Sequence, residues 1–144
     1  MDRVRIAAQT IAGLGMPLQL TARAENLLRG PADIEDTIER LQAFSAAGAD
    51  VLYAPGVKSH GQLRQITGSI DKPFNVLASF MPEASVSEFS ASGATRVSLG
   101  GALNFAAINP VLAASAEMLE EGTFNWFDSR ADSGIVSKLI SRAD

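Results

Sequence analysis

The stretch LQLTARAEN, residues 18–26, is a short apolar run that ends abruptly in charged and polar residues. A buried strand of a parallel sheet has this pattern where it reaches the edge at which ligands bind. Arg23 and Glu25 are two positions apart, so an extended backbone places both side chains on one face. A cation beside an acid suits a site that grips a small carboxylate. An ion pair that only orders a loop has the same spacing, and the residues alone leave both interpretations open.

Length and composition indicate a globular protein of 144 residues, with 47% hydrophobic and 19% charged residues. This length suits a single domain over 1–144 with a real core. The net charge of −4 and the scattered basic residues argue against a nucleic-acid partner. Cysteine is absent, which excludes a disulfide, a thiolate zinc site and a cysteine nucleophile in this chain. No uninterrupted apolar run approaches about 18 residues and no signal-peptide core follows the first residues, so we expect a cytoplasmic protein without a membrane partner.

Helical and strand patterns alternate along the chain. Helices are predicted at 2–14, 33–48, 62–70, from Ser85 or Ser87 to Gly93, at 102–121 and at 134–142, and strands at 18–23, 49–54, 74–78 and 94–99. Pro110 inside the long helix predicts a kink or a break into two helices. The alternation predicts an α/β fold with a parallel sheet. The strand spacing matches the repeating unit of a (β/α)8 barrel, so four units predict half of such a barrel, followed by a C-terminal tail, 123–144, with an extra helix.

Six segments together resemble the isocitrate lyase/phosphoenolpyruvate mutase family, in its methylisocitrate-lyase-like or phosphonomutase-like branch. They are TARAEN (21–26), DTIERLQAF (36–44), AGADVLYAPG (47–56), KPFNVL (72–77), RVSLGGAL (96–103) and EEGTF (120–124). The resemblance implies a TIM barrel about twice as long, of which this chain matches strands five to eight. It also implies lyase or mutase chemistry at a C–C or P–C bond of a small 2-keto or 2-hydroxy carboxylate. The reaction would pass through an enolate on Mg²⁺, whose ligands and mobile catalytic loop belong to earlier strands and not to this chain.

The resemblance also assigns roles to individual residues. Arg23 is similar to a strand-five arginine that clamps the substrate carboxylate with its planar guanidinium. Asn75 is similar to a strand-seven asparagine that helps to hold the same carboxylate, although an asparagine that caps its own turn is the alternative. Glu25 and, more weakly, Asn26 correspond to positions near the water shell of the metal. No residue of this chain is assigned as a metal ligand or as a catalytic group.

Other conspicuous residues are assigned lesser roles. Gly100 and Gly101, ahead of a helix, could offer amide donors to an anion, but tight packing between strand and helix explains them equally well. Tyr53 and Pro55 are expected to form the wall at the mouth of the second strand of this chain. His60, the only histidine, is expected to be a solvated surface residue in a loop.

Three functions are compatible with the sequence. The first is a truncated or split family member that needs an N-terminal half, from upstream sequence or another chain, for turnover. The second is a non-catalytic remnant that oligomerises through unpaired strand edges at 18–23 and 95–99. A complete small α/β binding module is the least favoured. The expected partners are therefore a small carboxylate and either a second copy of the chain or the complementing half.

Overall fold

The computed structural model describes residues 2–141, which fall into two compact units that meet in sequence between Gly100 and Gly101. The first unit contains the sheet with its helices. The second unit contains a long helix, a short 3-10 turn and a last helix. The assignment of 1–144 to a single domain stays a prediction.

Helices and strands alternate through the first unit, as the sequence predicted. In chain order they are α1 (Asp2–Gly13), β1 (Thr21–Arg23), α2 (Asn26–Arg29), α3 (Ile34–Ala46), β2 (Val51–Tyr53), α4 (His60–Thr67), β3 (Phe74–Leu77), a 3-10 turn (Ala78–Phe80), α5 (Val86–Ala91) and β4 (Arg96–Ser98). Each strand is shorter than its apolar run. Helix α2 and the 3-10 turn were not predicted, because three or four residues carry too little periodicity to be recognised.

The four strands form one parallel sheet in the order β1-β2-β3-β4, which confirms the predicted α/β fold. Successive side chains of a strand point to opposite faces of a sheet. One face carries apolar side chains that join those of α3, α4 and α5 in a single core. Its members include Ala22, Leu52, Phe74 and Val76 from the sheet, and Leu41, Leu63, Ile66 and Phe89 from the helices.

Two of the predicted helix starts are fixed by side-chain caps. The carboxylate of Asp33 accepts hydrogen bonds from the backbone amides of Glu35 and Asp36, at 2.9 and 3.2 Å, and α3 begins at the next residue. Ser85, not Ser87, caps α5, because Ser85 and Glu88 bond each other's backbone amides in a capping box. The Glu88 carboxylate accepts hydrogen bonds from the backbone amide and from the hydroxyl of Ser85, at 2.8 and 2.7 Å, and these two bonds lower the pKa of the Glu88 carboxyl because they favour its charged form.

The second unit is built on α6 (Ala102–Glu120), followed by a 3-10 turn (Asn125–Ser129) and by α7 (Ser133–Ile140). Helix α6 continues through Pro110 as one element, so the predicted division into two helices is not observed. The aromatic residues of the tail stack on one another, with 4.3 Å between the ring centroids of Trp126 and Phe127. The end of the predicted helix at 134–142 lies outside the described residues.

Helix α6 is long and apolar enough to cross a membrane, judged by length and composition alone. Asn104, Asn109 and Ser115 interrupt its sequence, which is why no continuous apolar run marked it. One such helix is weak support for a membrane span, because a packing helix of a water-soluble protein passes the same test. The cytoplasmic location stays a prediction.

Replacing Gly93 with alanine is expected to destabilise the first unit strongly. Its φ of +88° disfavours a side chain, and an added Cβ would lie 2.7 Å from the Cβ of Thr67. Strain and overpacking together predict that Gly93→Ala lowers the free energy of unfolding by about 2–4 kcal/mol. Urea unfolding measures this difference.

The matched control is Gly61→Ala, inside α4. The nearest atom to an added Cβ there is the Ser59 hydroxyl oxygen, at 3.7 Å. Removing a glycine from a helix is expected to change stability by at most about 1 kcal/mol, in the favourable direction. Equal unfolding midpoints for the two variants would contradict the account of Gly93.

Candidate functional site

A row of polar side chains crosses the sheet of the first unit on the face opposite the core. The register pairs Arg23 with Tyr53, Tyr53 with Asn75, and Asn75 with Arg96. Residues in register on parallel strands point to the same face, so these four side chains, the polar row, lie side by side. The sheet thus brings Arg23 and Asn75, singled out on separate strands, to one surface.

Arg23 lies at one end of the polar row. Its guanidinium forms an ion pair with Glu25 and lies 5.9 Å from the centroid of the Tyr53 ring, a distance at which the cation is attracted to the ring face. The side chain is 54% exposed, so its terminal amino groups can reach a ligand.

Glu25 forms the expected pair with Arg23, but through a different backbone geometry. Strand β1 ends at Arg23, and Glu25 has helical angles, φ −98° and ψ −5°, at the start of α2. The prediction that one extended strand aligns the two side chains is therefore wrong, because the chain turns between them. Glu25 also contacts Arg29, with 3.3 Å between Oε2 and Nε, so its carboxylate is held between two guanidinium groups.

Asn75 lies inside the polar row and is 1% exposed. Its Oδ1 accepts a hydrogen bond from Nη1 of Arg96, and its Nδ2 donates one to Oγ of Ser98, each at 2.9 Å. The Ser98 hydroxyl in turn donates to the backbone carbonyl of Val76, at 3.2 Å. The alternative that Asn75 caps its own turn is not observed, because its amide joins β3 to β4. Its role toward a carboxylate stays a prediction.

Asn26 connects two helices. Its Nδ2 donates to the Thr37 hydroxyl at 2.8 Å and to the Asp33 carbonyl at 3.1 Å, which ties the start of α2 to the start of α3. Its Oδ1 is buried without a partner among residues 2–141. Gly100 has a φ of +56°, which accounts for glycine there, and Gly101 precedes α6. Neither the metal-shell role of Asn26 nor the anion site at the glycines is tested by these contacts.

His60 does not lie in a solvated loop, and that prediction is wrong. It is the first residue of α4 and is partly buried, with 2.9 Å between its Nδ1 and the hydroxyl oxygen of Ser92. Its ring lies 6.1 Å from that of Phe89. Ser92 is 32 positions away in sequence, so no local pattern could have indicated this partner.

Two members of the site were missed from the sequence. Arg96 and Ser98 are the polar residues of β4 and alternate with the apolar Val97, a pattern that places both on one face. Tyr53 was expected only to line the mouth of the second strand, but it lies between Arg23 and Asn75 in the polar row. Pro55, expected beside it, is fully buried.

Burial raises the pKa of the Tyr53 phenol, since the ionised ring would be poorly solvated. The positive charge of Arg23 opposes this shift, the negative charge of Glu25 adds to it, and Ser98 and Arg96 oppose it weakly. At neutral pH the phenol is therefore protonated and able to donate a hydrogen bond.

The residues described do not form a magnesium site by themselves. Among residues 2–141 there is no cluster of three or more histidine, aspartate or glutamate side chains. The carboxylate that adjoins the polar row, that of Glu25, faces Arg23 and Arg29. Since Mg²⁺ prefers free oxygen ligands, this donor set does not fit the ion.

The parallel sheet and the helices packed on it define the chain as an α/β protein. The sequence model of the family described as phosphoenolpyruvate phosphomutase matches residues 1–119. The chain belongs to this family, which confirms the resemblance seen in the sequence.

Individual relatives agree with this assignment. The chain is 30% identical over 89 residues to an oxaloacetate decarboxylase of Bradyrhizobium diazoefficiens, a match that covers 62% of this chain and 31% of the relative. A protein of Burkholderia cenocepacia J2315, provisionally named a lyase/mutase, superposes with a TM-score of 0.90 at 37% identity, over 99% of this chain and 52% of that one. A phosphonopyruvate hydrolase solved with oxalate and Mg²⁺ shares the fold, with a TM-score of 0.76 at 19% identity, over 97% of this chain and 50% of that one. The chain thus spans about a third of the decarboxylase and about half of each structure.

The phenol of Tyr53 can be titrated directly, because it is the only tyrosine of the chain. Its ultraviolet absorbance change is expected at a pH above the ordinary value of about 10. The folded-state pKa is raised, so the stability that the neutral phenol contributes is complete below about 10 and is lost as the pH rises through the folded-state pKa. Arg23→Gln should move the titration further upward, because it removes the cation that lowers the Tyr53 pKa and keeps the Glu25 charge that raises it.

Arg40→Gln is the control for this titration. Arg40 pairs with Asp36 on the surface of α3, at 2.8 Å, and takes no part in the polar row. A titration of Tyr53 at or below the ordinary value, or an identical shift in both variants, would contradict the electrostatic account.

Proposed function

We propose that this chain supplies the carboxylate-binding part of a lyase/mutase-type active site. The substrate is a small 2-keto or 2-hydroxy carboxylate, cleaved or rearranged at a C–C or P–C bond. The observation that carries the proposal is the polar row, in which two guanidinium groups flank a phenol and a buried amide on one face of the sheet. Family membership supports it, as do a relative named for oxaloacetate, a 2-keto carboxylate, and a structure solved with oxalate.

Arg23 is the primary anchor of the carboxylate in this proposal. The Glu25 carboxylate pairs with Nε of Arg23. The two terminal amino groups of Arg23 have no partner among residues 2–141. Those two groups form the edge of a guanidinium that binds a carboxylate by two parallel hydrogen bonds. Glu25 therefore orients the anchor and leaves its binding edge free.

The other groups of the row complete the site. The neutral Tyr53 phenol and the Asn75 amide can each donate a hydrogen bond to substrate oxygens. Mg²⁺ belongs to this proposal as the family's cofactor, with ligands from sequence outside the residues described. Because the described residues hold no donor set for the ion, their part is to bind and orient the carboxylate.

The direct test is an NMR titration of the 144-residue chain with oxalate. Saturable shifts are expected at the ends of β1, β2 and β3. Arg23→Lys keeps the positive charge but loses the planar guanidinium that makes two parallel hydrogen bonds. Because a charge-assisted hydrogen bond contributes about 1.5–3 kcal/mol, this variant is expected to bind oxalate about tenfold more weakly.

Arg64→Lys, on the exposed side of α4, is the control and should bind as the parent chain does. The same sample is expected to show no decarboxylation of oxaloacetate above the rate of buffer with Mg²⁺, because the acid/base loop and metal ligands of the family come from outside residues 2–141. Absence of oxalate shifts would reject the carboxylate site, and turnover would reject the need for a complementing half.

A second candidate function is an oligomerising module, favoured by unpartnered surfaces in each unit. In the first unit, β1 and β4 each have one side without a strand partner among the described residues. In the second unit, large apolar side chains are exposed, among them Leu103, Phe105, Leu112, Leu119, Phe124 and Leu139. Unpaired strand edges and exposed apolar surface both promote association. We propose that a second copy of the chain binds through the second unit.

Sedimentation velocity tests the association. The parent chain is expected to sediment as a dimer or larger species at micromolar concentration. Leu112 and Leu119 are 61% and 87% exposed and seven positions apart, so they share one side of α6. The double variant Leu112→Glu with Leu119→Glu should shift the chain toward the monomer, whereas Val86→Glu, at an exposed position of the first unit, should not. A folded monomeric parent chain would exclude this candidate.

A further inference from the structure

We propose that Arg96 is a positioning residue, which locks the Asn75 amide so that it offers a hydrogen-bond donor and no acceptor to the ligand. The proposal rests on the carboxylate function proposed for the polar row, and it assigns a role to a residue for which neither the sequence nor the relatives gave one. It also restricts the ligand, because the atom that meets Asn75 must be an acceptor oxygen of a carboxylate, carbonyl or phosphonate group.

The first step is the bond between the two side chains. Asn75 and Arg96 are in register on β3 and β4, and Nη1 of Arg96 lies 2.9 Å from the amide. Arginine carries only donors, so the amide atom that faces it must be the oxygen.

The second step is the independent constraint from Ser98. Its hydroxyl proton is directed at the carbonyl of Val76, at 3.2 Å, so its oxygen is free to accept from Nδ2 of Asn75, at 2.9 Å. Turning the amide over would set its NH₂ group against the guanidinium and its oxygen against Ser98. Losing a hydrogen bond at a buried group costs about 1–3 kcal/mol, so one orientation dominates.

The third step concerns the remaining hydrogen of Nδ2. One of its two hydrogens is used on Ser98, and the other has no partner among residues 2–141. Asn75 is 1% exposed, so an acceptor reaches this N–H only when the groups that cover it move aside. An acceptor that reaches it gains a hydrogen bond with little competition from solvent. The charged bond at Oδ1 polarises the amide and makes the free N–H a stronger donor.

The orientation of the amide is tested without any ligand. In the parent chain, NMR is expected to show one pair of Asn75 side-chain NH₂ signals with a through-space contact to the Ser98 side chain. Arg96→Met keeps the apolar stem but removes the donors, and should weaken that contact or give two sets of signals. Arg96→Lys retains a donor and should restore the parent pattern, while Arg64→Met is the control. An unchanged Asn75 amide in Arg96→Met would overturn the proposal.

Oxalate binding to variants shows whether Arg96 positions the Asn75 amide or contacts the ligand directly. Arg96→Met and Asn75→Ala are each expected to weaken oxalate binding about tenfold, and the double variant should bind no more weakly than Asn75→Ala. Additive losses would show that Arg96 contacts the ligand itself and would overturn the positioning role. If Asn75→Ala does not fold, Ser98→Ala, which removes the other partner of the amide, replaces it in the cycle.

The two arms distinguish this proposal from the one on which it rests. A parent chain that shows no oxalate shifts contradicts the carboxylate function, while the ligand-free signals of Asn75 still decide whether Arg96 sets the amide. A locked amide together with oxalate binding that is insensitive to Arg96→Met would overturn the part of the proposal that concerns the ligand.

Discussion

The strand register is the constraint on which both the fold and the site depend. It aligns Arg23, Tyr53, Asn75 and Arg96 on one face and leaves the other face apolar. Slipping a strand by one residue would exchange its two faces, and the β1 arginine would then enter the core. A charge buried without a partner is strongly destabilising, so the packing of the helices selects the register that also assembles the polar row.

The polar row is positively charged, although the chain as a whole is negatively charged. The protein carries a net charge of −4, yet the groups at this face include two arginines and one carboxylate that is shared with a third arginine. Glu25 therefore organises the cations more than it neutralises them. A concentrated positive field on an otherwise acidic surface attracts anions to this face of the sheet.

Much of the fold could be predicted because its signals are local. The caps at Asp33 and Ser85 and the apolar runs of the strands each lie within a few residues of the element they define. The site was only partly predictable. Arg23 and Asn75 stand out within their own segments, whereas the partners of Asn75 and His60 are set by residues 21 to 32 positions away. The turn at Glu25 escaped prediction because α2 is only four residues long.

The sheet order also bears on how the first unit folds. Each strand pairs with the next strand in the chain, as in Thr21 with Val51 and Asn75 with Arg96, so every pairing closes a loop of about 20 to 30 residues. Loops of this size cost little more entropy to close than shorter ones. No strand of the sheet needs a segment far away in sequence to form its pairing. Strand–helix pairs can therefore add one after another, and the growing sheet always presents its newest strand as the template for the next.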